Sequence, residues 1–426
     1  VTLVIDPLIA LMDDQVASLK SRSRIAYARA LHSGSDYVNT DGIYDLLVSN
    51  QFIFIAPERF LRENFRVALQ AASNMGARVS LAVIDEAHCV SMWGHDFRPA
   101  YLELAKNIRQ YAASTAGPPP ILALTGTASQ LVLIDLSRQL GIFGGDSIIR
   151  PNTFDRPELN FRVLPAHSKM KQQRLLMAMK ELSTRLKTQN IFEGQYGMVF
   201  GVTKKSVKDA YSWLFGEAQF NRISSYSGKP DDLNDLSCAF YLGSCPDLSG
   251  YKNPSLRKHW VQYKQRIFEK FTQGGIKCMV ANNALSVGID NSKIRYIVNL
   301  SMVGSLESYY QQAGRAGRKG DKSYCDLIFS DDEPELANQW INGEWNGKIS
   351  GDVGTLAYFH DLNFPGKGKD AEYLSRLVRI VYNKLKKSGT GFARISSGDI
   401  EKISNELSSK IKIDDVGRFI GYLSIL

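Results

Sequence analysis

Apolar residues along this chain fall into short blocks, each closed by a polar or turn-forming stretch and separated by segments of helical spacing. Val1 to Ile5, Gln51 to Ala56, Leu81 to Ile84, Ile121 to Leu124, Tyr196 to Phe200, Lys277 to Ala281 and Tyr324 to Phe329 are such blocks. They are apolar, partly β-branched and show little alternation, the pattern of strands buried on both faces of a parallel sheet. Between them, Leu8, Leu11, Met12, Val16 and Leu19 make a helical stripe, and a second helix is predicted from Lys169 to Lys187. Alternation of this kind predicts an α/β fold whose parallel sheets are covered by helices. Open sheets of that class bind ligands at the carboxyl ends of their strands, so the residues there carry the functional question.

One strand end stands out. Leu81 to Ile84 runs into Asp85-Glu86-Ala87-His88 and on through Trp93, His95, Phe97 and Arg98 to Tyr101. Two carboxylates at the end of a buried strand are costly unless they face a cation or a reacting group. Phosphoryl transfer uses such a pair, one acid for Mg²⁺ and one to orient the attacking water. Aromatic rings beside a cation suit base stacking and phosphate contact. Taken alone, Asp-Glu-Ala-His also fits the acid-rich start of a helix. The block Ile121 to Leu124 ends in Thr125-Gly126-Thr127-Ala128, whose hydroxyls are suited to bond the acids from a neighbouring strand end. Ser308 to Gly320 carries Gln311, Gly314, Arg315, Gly317 and Arg318. Its small residues permit close backbone approach, and its arginines suit a developing phosphate charge; a plain basic helix end is the other reading.

Composition narrows the class. The 426 residues are enough for two or three domains, and 44% hydrophobic with 22% charged residues is ordinary for a globular chain. The net charge, 52 minus 43 or +9, is compatible with a nucleic-acid partner but weak support alone. The five cysteines form no Cys-x-x-Cys pair and are odd in number, which points to a reducing compartment rather than a disulfide framework. No apolar run approaches the roughly 18 residues of a membrane span, so no membrane partner is expected. No signal peptide is visible.

The stretch DEAHCVSMWGHDFRPAY resembles motif II and the aromatic-rich loop of RecQ-type DNA helicases, in helicase superfamily two. In order along the chain, DPLIALMDDQV, IAPERF, ALTGTAS, GMVFGVTKKSV, ANNALSVGIDNSKIRYIV and QQAGRAGR resemble motifs Ia, Ib, III, IV, V and VI of that family. The resemblance covers residues 1 to 330 or so. It implies two RecA-like lobes, 1–152 and 153–331, the second entered at Arg156-Pro157-Glu158-Leu159. A mostly helical region, 332–426, is expected to follow, with helices at 369–388, 398–410 and 413–424. Those helices fit either the start of a winged-helix-like unit or a bundle against the second lobe. The activity implied is an ATP-dependent 3′–5′ DNA helicase using Mg²⁺ on single-stranded DNA and single-strand/duplex junctions. In that scheme Asp85 holds Mg²⁺ and Glu86 activates water, with His88 and Gln311 in the same catalytic set. Arg315 and Arg318 clamp the γ-phosphate, and Thr125, Thr127, Gly288 and Asp290 lie near the nucleotide. Trp93, His95, Phe97, Arg98 and Arg59 meet the nucleic acid; for Arg59 a solvated salt bridge is the competing reading.

Departures from the family pattern bound this scheme. Met92 stands where the family usually has Gln, Gly126 where it commonly has Ala, and Asn291-Ser292 where Lys-Pro is frequent. The phosphate-cradling pattern G-x-x-x-x-G-K-[ST] is not found; Pro365-Gly366-Lys367-Gly368-Lys369 has the wrong spacing. A phosphate loop is expected upstream of Val1, the alternative being its loss. Residues 230–256 exceed the usual core and are expected as a polar surface insertion. Cys238, Cys245 and His259 make a poor metal set. The family's four-cysteine zinc module has no counterpart after Cys325. Two further functions therefore stay open. One is a DNA-stimulated translocase without unwinding, working with protein partners in a larger defence or repair assembly. The other is a non-hydrolysing, nucleic-acid-binding pseudo-helicase. The expected location is the cytoplasm at the nucleoid in a bacterium, or the nucleus in a eukaryote.

Overall fold

A computed structural model describes residues 1–7, 9–31, 40–91, 99–101, 103–126, 128–150, 155–248, 255–285, 291–344 and 347–363, with Arg379 and Asn383. The helices expected at 369–388, 398–410 and 413–424 lie outside this set. One compact unit holds Val1–Arg150 and a second holds Pro151–Asn363.

In the first unit, strands β1 (Thr2–Ile5), β2 (Ala28–Leu31), β3 (Phe52–Ile55), β4 (Leu81–Ile84) and β5 (Ile121–Ala123) form one sheet in the order β2-β3-β1-β4-β5. All its pairs are parallel, with Val4 set between Phe54 and Val83. Side chains alternate across the sheet, so each face acquires its own core. Leu3, Ile5, Ile53, Ile55, Ala82 and Ile84 pack with Leu69, Tyr101 and Ile108. Val4, Phe54 and Val83 pack with Met12, whose helix Ile9–Arg22 follows β1 on the stripe expected from sequence. Strand β2 was not predicted: Ala-Arg-Ala-Leu has two small residues and a charge, too weak a block to register as a strand.

The second unit contains β6 (Leu159–Pro165), β7 (Tyr196–Phe200), β8 (Cys238–Tyr241), β9 (Cys278–Ala281), β10 (Ile294–Asn299) and β11 (Ser323–Phe329). Their order is β6-β11-β10-β7-β9-β8, again with every pair parallel. Two contacts fix this sheet. On neighbouring β6 and β11, Arg162 and Asp326 are register partners, and the guanidinium grips the fully buried carboxylate with bonds of 2.9 and 2.6 Å. A bidentate pair of this kind is both strong and directional. On β7, Gly197 is directly beside Tyr296 of β10, whose ring occupies the space a Cβ would need.

The expected surface insertion 230–256 needs correction. Within it, Cys238–Tyr241 is strand β8, paired to β9, and Cys238, Ala239 and Phe240 are buried. A four-residue apolar block between Asp- and Ser-rich flanks is short enough to be mistaken for loop. Beyond β11, helices Pro334–Ile341 and Gly351–Asn363 belong to this same unit. Asp352 on the latter is buried and accepts from Lys171 Nζ at 2.5 Å and from the backbone N–H of Ser330 and Met302. Those bonds tie that helix to the strand ends.

Gly197→Ala is expected to destabilise the second unit by about 1–3 kcal/mol, because the new methyl would lie 2.2 Å from Tyr296 ring atoms. Adding Tyr296→Leu should recover part of the loss. Denaturant unfolding of the two variants and the parent checks both expectations.

Candidate active site

The acid pair sits where the sheet leads it. Asp85 follows β4 directly, and its N–H donates to Ile5 O of β1 at 2.9 Å, so the ladder extends one residue past the strand. Glu86 then turns sharply, with φ 47° and ψ 45°. A left-handed conformation costs a non-glycine residue about 1–2 kcal/mol and persists only when its surroundings hold it. Here the neighbouring strand end holds it. Ala87 N–H donates to Leu124 O at 2.8 Å, and Leu124 N–H donates to Ile84 O at 2.9 Å. A short helical turn, Ala87–Val90, follows.

Side chains continue the same zipper. The Glu86 N–H donates back to Asp85 Oδ1 at 2.9 Å. His88 is buried, with Nδ1 3.1 Å from Thr125 Oγ1 and 3.3 Å from Glu86 Oε2. Ser91 is fully buried, and its hydroxyl donates to Asp135 Oδ2 at 2.7 Å. Gln15 Nε2 reaches Asp85 Oδ2 from the helix after β1, at 3.3 Å. Asp85, Glu86, His88 and Thr125 are thus brought together. Burial pushes the Asp85 carboxyl upward; the Glu86 N–H opposes this, and the Glu86 charge adds to it. A carboxylate held at such a cost, next to a second one, is a suitable hard-oxygen ligand for a divalent cation.

Arg59 is more deeply covered than an arginine in a turn usually is. It sits in the turn Pro57–Leu61 with 7% of its surface exposed. Burial, and then the charge of Arg62, lowers its pKa. Thr127, Trp93, His95, Phe97, Arg98, Gly288 and Asp290 lie outside the described residues.

In the second unit the arginine segment leaves helix Leu306–Ala313, which Ser305 caps by accepting from Ser308 N–H at 3.0 Å. Gly317 has φ +71°, and a Cβ there would meet Glu158 Cγ at 2.9 Å and Leu159 Cδ2 at 3.0 Å. Only glycine fits that approach without strain. Arg156 pairs with Glu158 and donates to Ala316 O at 3.3 Å, so the start of the unit braces the turn. Gln311 and Arg315 are half-buried and Arg318 is exposed. The neighbour Gln312, not singled out from sequence, is the buried one: it bonds Asn299 at the end of β10 and Asn283. Asn291 is also structural, donating to Phe271 O at 2.9 Å. Thr203 and Ser206 cap helix Lys204–Phe215 reciprocally.

Gln15 had a signal that could have found it: it lies on the apolar stripe, four residues from both Leu11 and Leu19. Asp135 had a weaker one, a poor helix former inside helix Gln130–Leu140. Among the described residues, no group of three or more His, Cys, Asp or Glu is placed to hold a metal ion by itself. None of their helices is long and apolar enough to cross a membrane.

Residues 1–133 match the DEAD/DEAH box helicase family, and residues 261–320 match the helicase conserved C-terminal domain. The chain is 32% identical over 331 residues to "ATP-dependent DNA helicase RecQ" of Bacillus subtilis, covering 77% of this chain and 46% of that protein. It is 31% identical over 334 residues to "ATP-dependent helicase SGS1" of Saccharomyces cerevisiae, covering 77% of this chain and 19% of that one. The chain thus spans less than half the length of these two relatives. Among solved structures, the fold is similar to S. cerevisiae Dbp5 bound to RNA and ADP BeF3 (TM-score 0.50, 16% identity, 81% of this chain and 76% of that chain). It is likewise similar to the DUF1998 helicase MrfA bound to DNA and AMPPNP (TM-score 0.51, 16% identity, 80% and 43%).

The raised pKa of Asp85 yields a prediction with a definite sign. The folded chain holds that proton more tightly than the unfolded chain, so ionising Asp85 costs stability as pH rises above the unfolded value of about 3.9. In metal-free buffer, Asp85→Asn is expected to raise Tm by about 1–3 °C near pH 8, with the gain fading toward pH 4. Thermal melts across that range check it.

Proposed function

We propose that this chain, a RecQ-like chain with the DEAD/DEAH box and C-terminal helicase domains, is the motor region of an ATP-dependent DNA helicase. The observation that carries the proposal is the strained Asp85–Glu86 turn at the carboxyl end of β4, bonded to the Thr125 strand end. Such a turn aims two carboxylates out of the sheet, where a nucleotide's phosphates would be met.

Each residue then has a defined task. Asp85 holds Mg²⁺, which would neutralise phosphate charge as ATP is cleaved. Glu86 takes the proton of the attacking water. His88 and Thr125 fix the Glu86 carboxylate and Thr127 supports them from the same turn. Arg315 and Arg318 supply positive charge to the γ-phosphate, with Gln311 in support, and Gly288 and Asp290 line the nucleotide. Trp93, His95, Phe97 and Arg98 contact single-stranded DNA and report its presence to the acid turn. The motor moves 3′ to 5′ and opens duplex at single-strand junctions.

The test is strand displacement by the full-length protein with Mg²⁺ and ATP, on duplexes with either a 3′ or a 5′ single-stranded tail. Displacement of the 3′-tailed duplex is expected, with Arg318→Ala reducing it by about 10³-fold. Translocation without displacement would move the assignment to a translocase. DNA binding that ATP leaves unaltered would move it to a binding-only protein.

A further inference from the structure

The segment Ala87–Ser91 is fixed at both of its ends to one continuous stretch of chain. Near the acids, Ala87 N–H bonds Leu124 O, and His88 faces Thr125. At the far end, the Ser91 hydroxyl bonds Asp135 Oδ2 at 2.7 Å. Leu124, Thr125 and Asp135 lie close together along the chain, Asp135 inside helix Gln130–Leu140, whose N-cap is Ser129. Helices transmit displacement as nearly rigid bodies, so this stretch spans the acid turn like a splint.

We propose that Asp135 is a positioning residue: through Ser91, it ties the start of the DNA-contacting segment to the splint that also holds His88 and Glu86. The proposal rests on the helicase reading above. Three observations carry it. Ser91 is fully buried, so its hydroxyl needs a partner. A charged acceptor makes that bond shorter and stronger than a neutral one would. Aspartate is a poor helix former, and position 135 lies inside the helix rather than at its cap, so the residue carries a local cost. Residue 92, the first of the aromatic segment, follows Ser91 directly. DNA pulling on that segment therefore pulls on the Ser91–Asp135 bond, and through the splint on the groups that orient Glu86.

The test uses the full-length protein and measures ATP turnover with and without single-stranded DNA, KM for ATP, DNA affinity and thermal stability. The variants are Asp135→Ala, Asp135→Asn, Ser91→Ala and the Ser91→Ala/Asp135→Ala double. Asp135→Ala and Ser91→Ala should each lower the DNA stimulation ratio by about tenfold, with DNA affinity and DNA-free turnover within about threefold of the parent. The double variant should lose no more than either single one, the mark of one shared interaction. Asp135→Asn keeps an acceptor oxygen and should retain stimulation within about threefold, which separates a lost bond from a damaged fold. Unchanged stimulation in folded Asp135→Ala, or additive losses in the double variant, would overturn the inference alone. A parent protein without turnover under any condition would overturn the helicase reading and this inference with it.

Discussion

A single backbone constraint organises the first unit: Glu86 in a left-handed conformation at the end of a buried parallel strand. That geometry is unfavourable for any residue with a Cβ, and it survives because the next strand end grips both sides of it. The grip needs β5 in register with β4, since Leu124 donates to Ile84 and accepts from Ala87. Register in turn depends on the apolar faces of the sheet, where one residue of slip would turn Val83 and Ile84 to the wrong cores. The acid turn is therefore the product of the whole sheet, and its chemistry is inseparable from the packing beneath it.

The second unit solves a similar problem with glycine. Gly317 accepts a left-handed conformation without penalty and lets the turn lie against Glu158 and Leu159. The Arg156–Glu158 pair and the bond to Ala316 hold that turn from outside, while Gln312 and Asn299 hold it from within. Arg315 and Arg318 thus stand on a braced loop. Both units place these side chains on short turns at the ends of parallel strands.

Much of this was legible in the residues. The apolar blocks located β1, β3, β4, β5, β7, β9 and β11 because buried parallel strands leave an almost unbroken apolar signature. The rule that ligands meet strand carboxyl ends groups Asp85, Glu86 and Thr125, and the structure brings them together through His88. What escaped were β2 with its small residues and Arg29, β8 inside a polar stretch, and β6 and β10, whose apolar runs are interrupted by Arg162 and Arg295. The burial of Arg59 is not legible in the residues, because an arginine in a turn reads as solvated and only packing covers it. Gln15, Ser91, Asp135 and Gln312 act through partners distant in sequence, a relation that spacing along one chain does not encode.

The central claim is that the acid turn cleaves ATP, with Glu86 as the base. The most direct measurement is steady-state ATP turnover, together with ATP binding, by the full-length protein and by Glu86→Gln, both saturated with single-stranded DNA and Mg²⁺. Turnover lower by about 10²–10⁴-fold in the variant, with ATP binding kept, is the result this account predicts. Turnover within a few-fold of the parent would contradict it and would require another residue as the base.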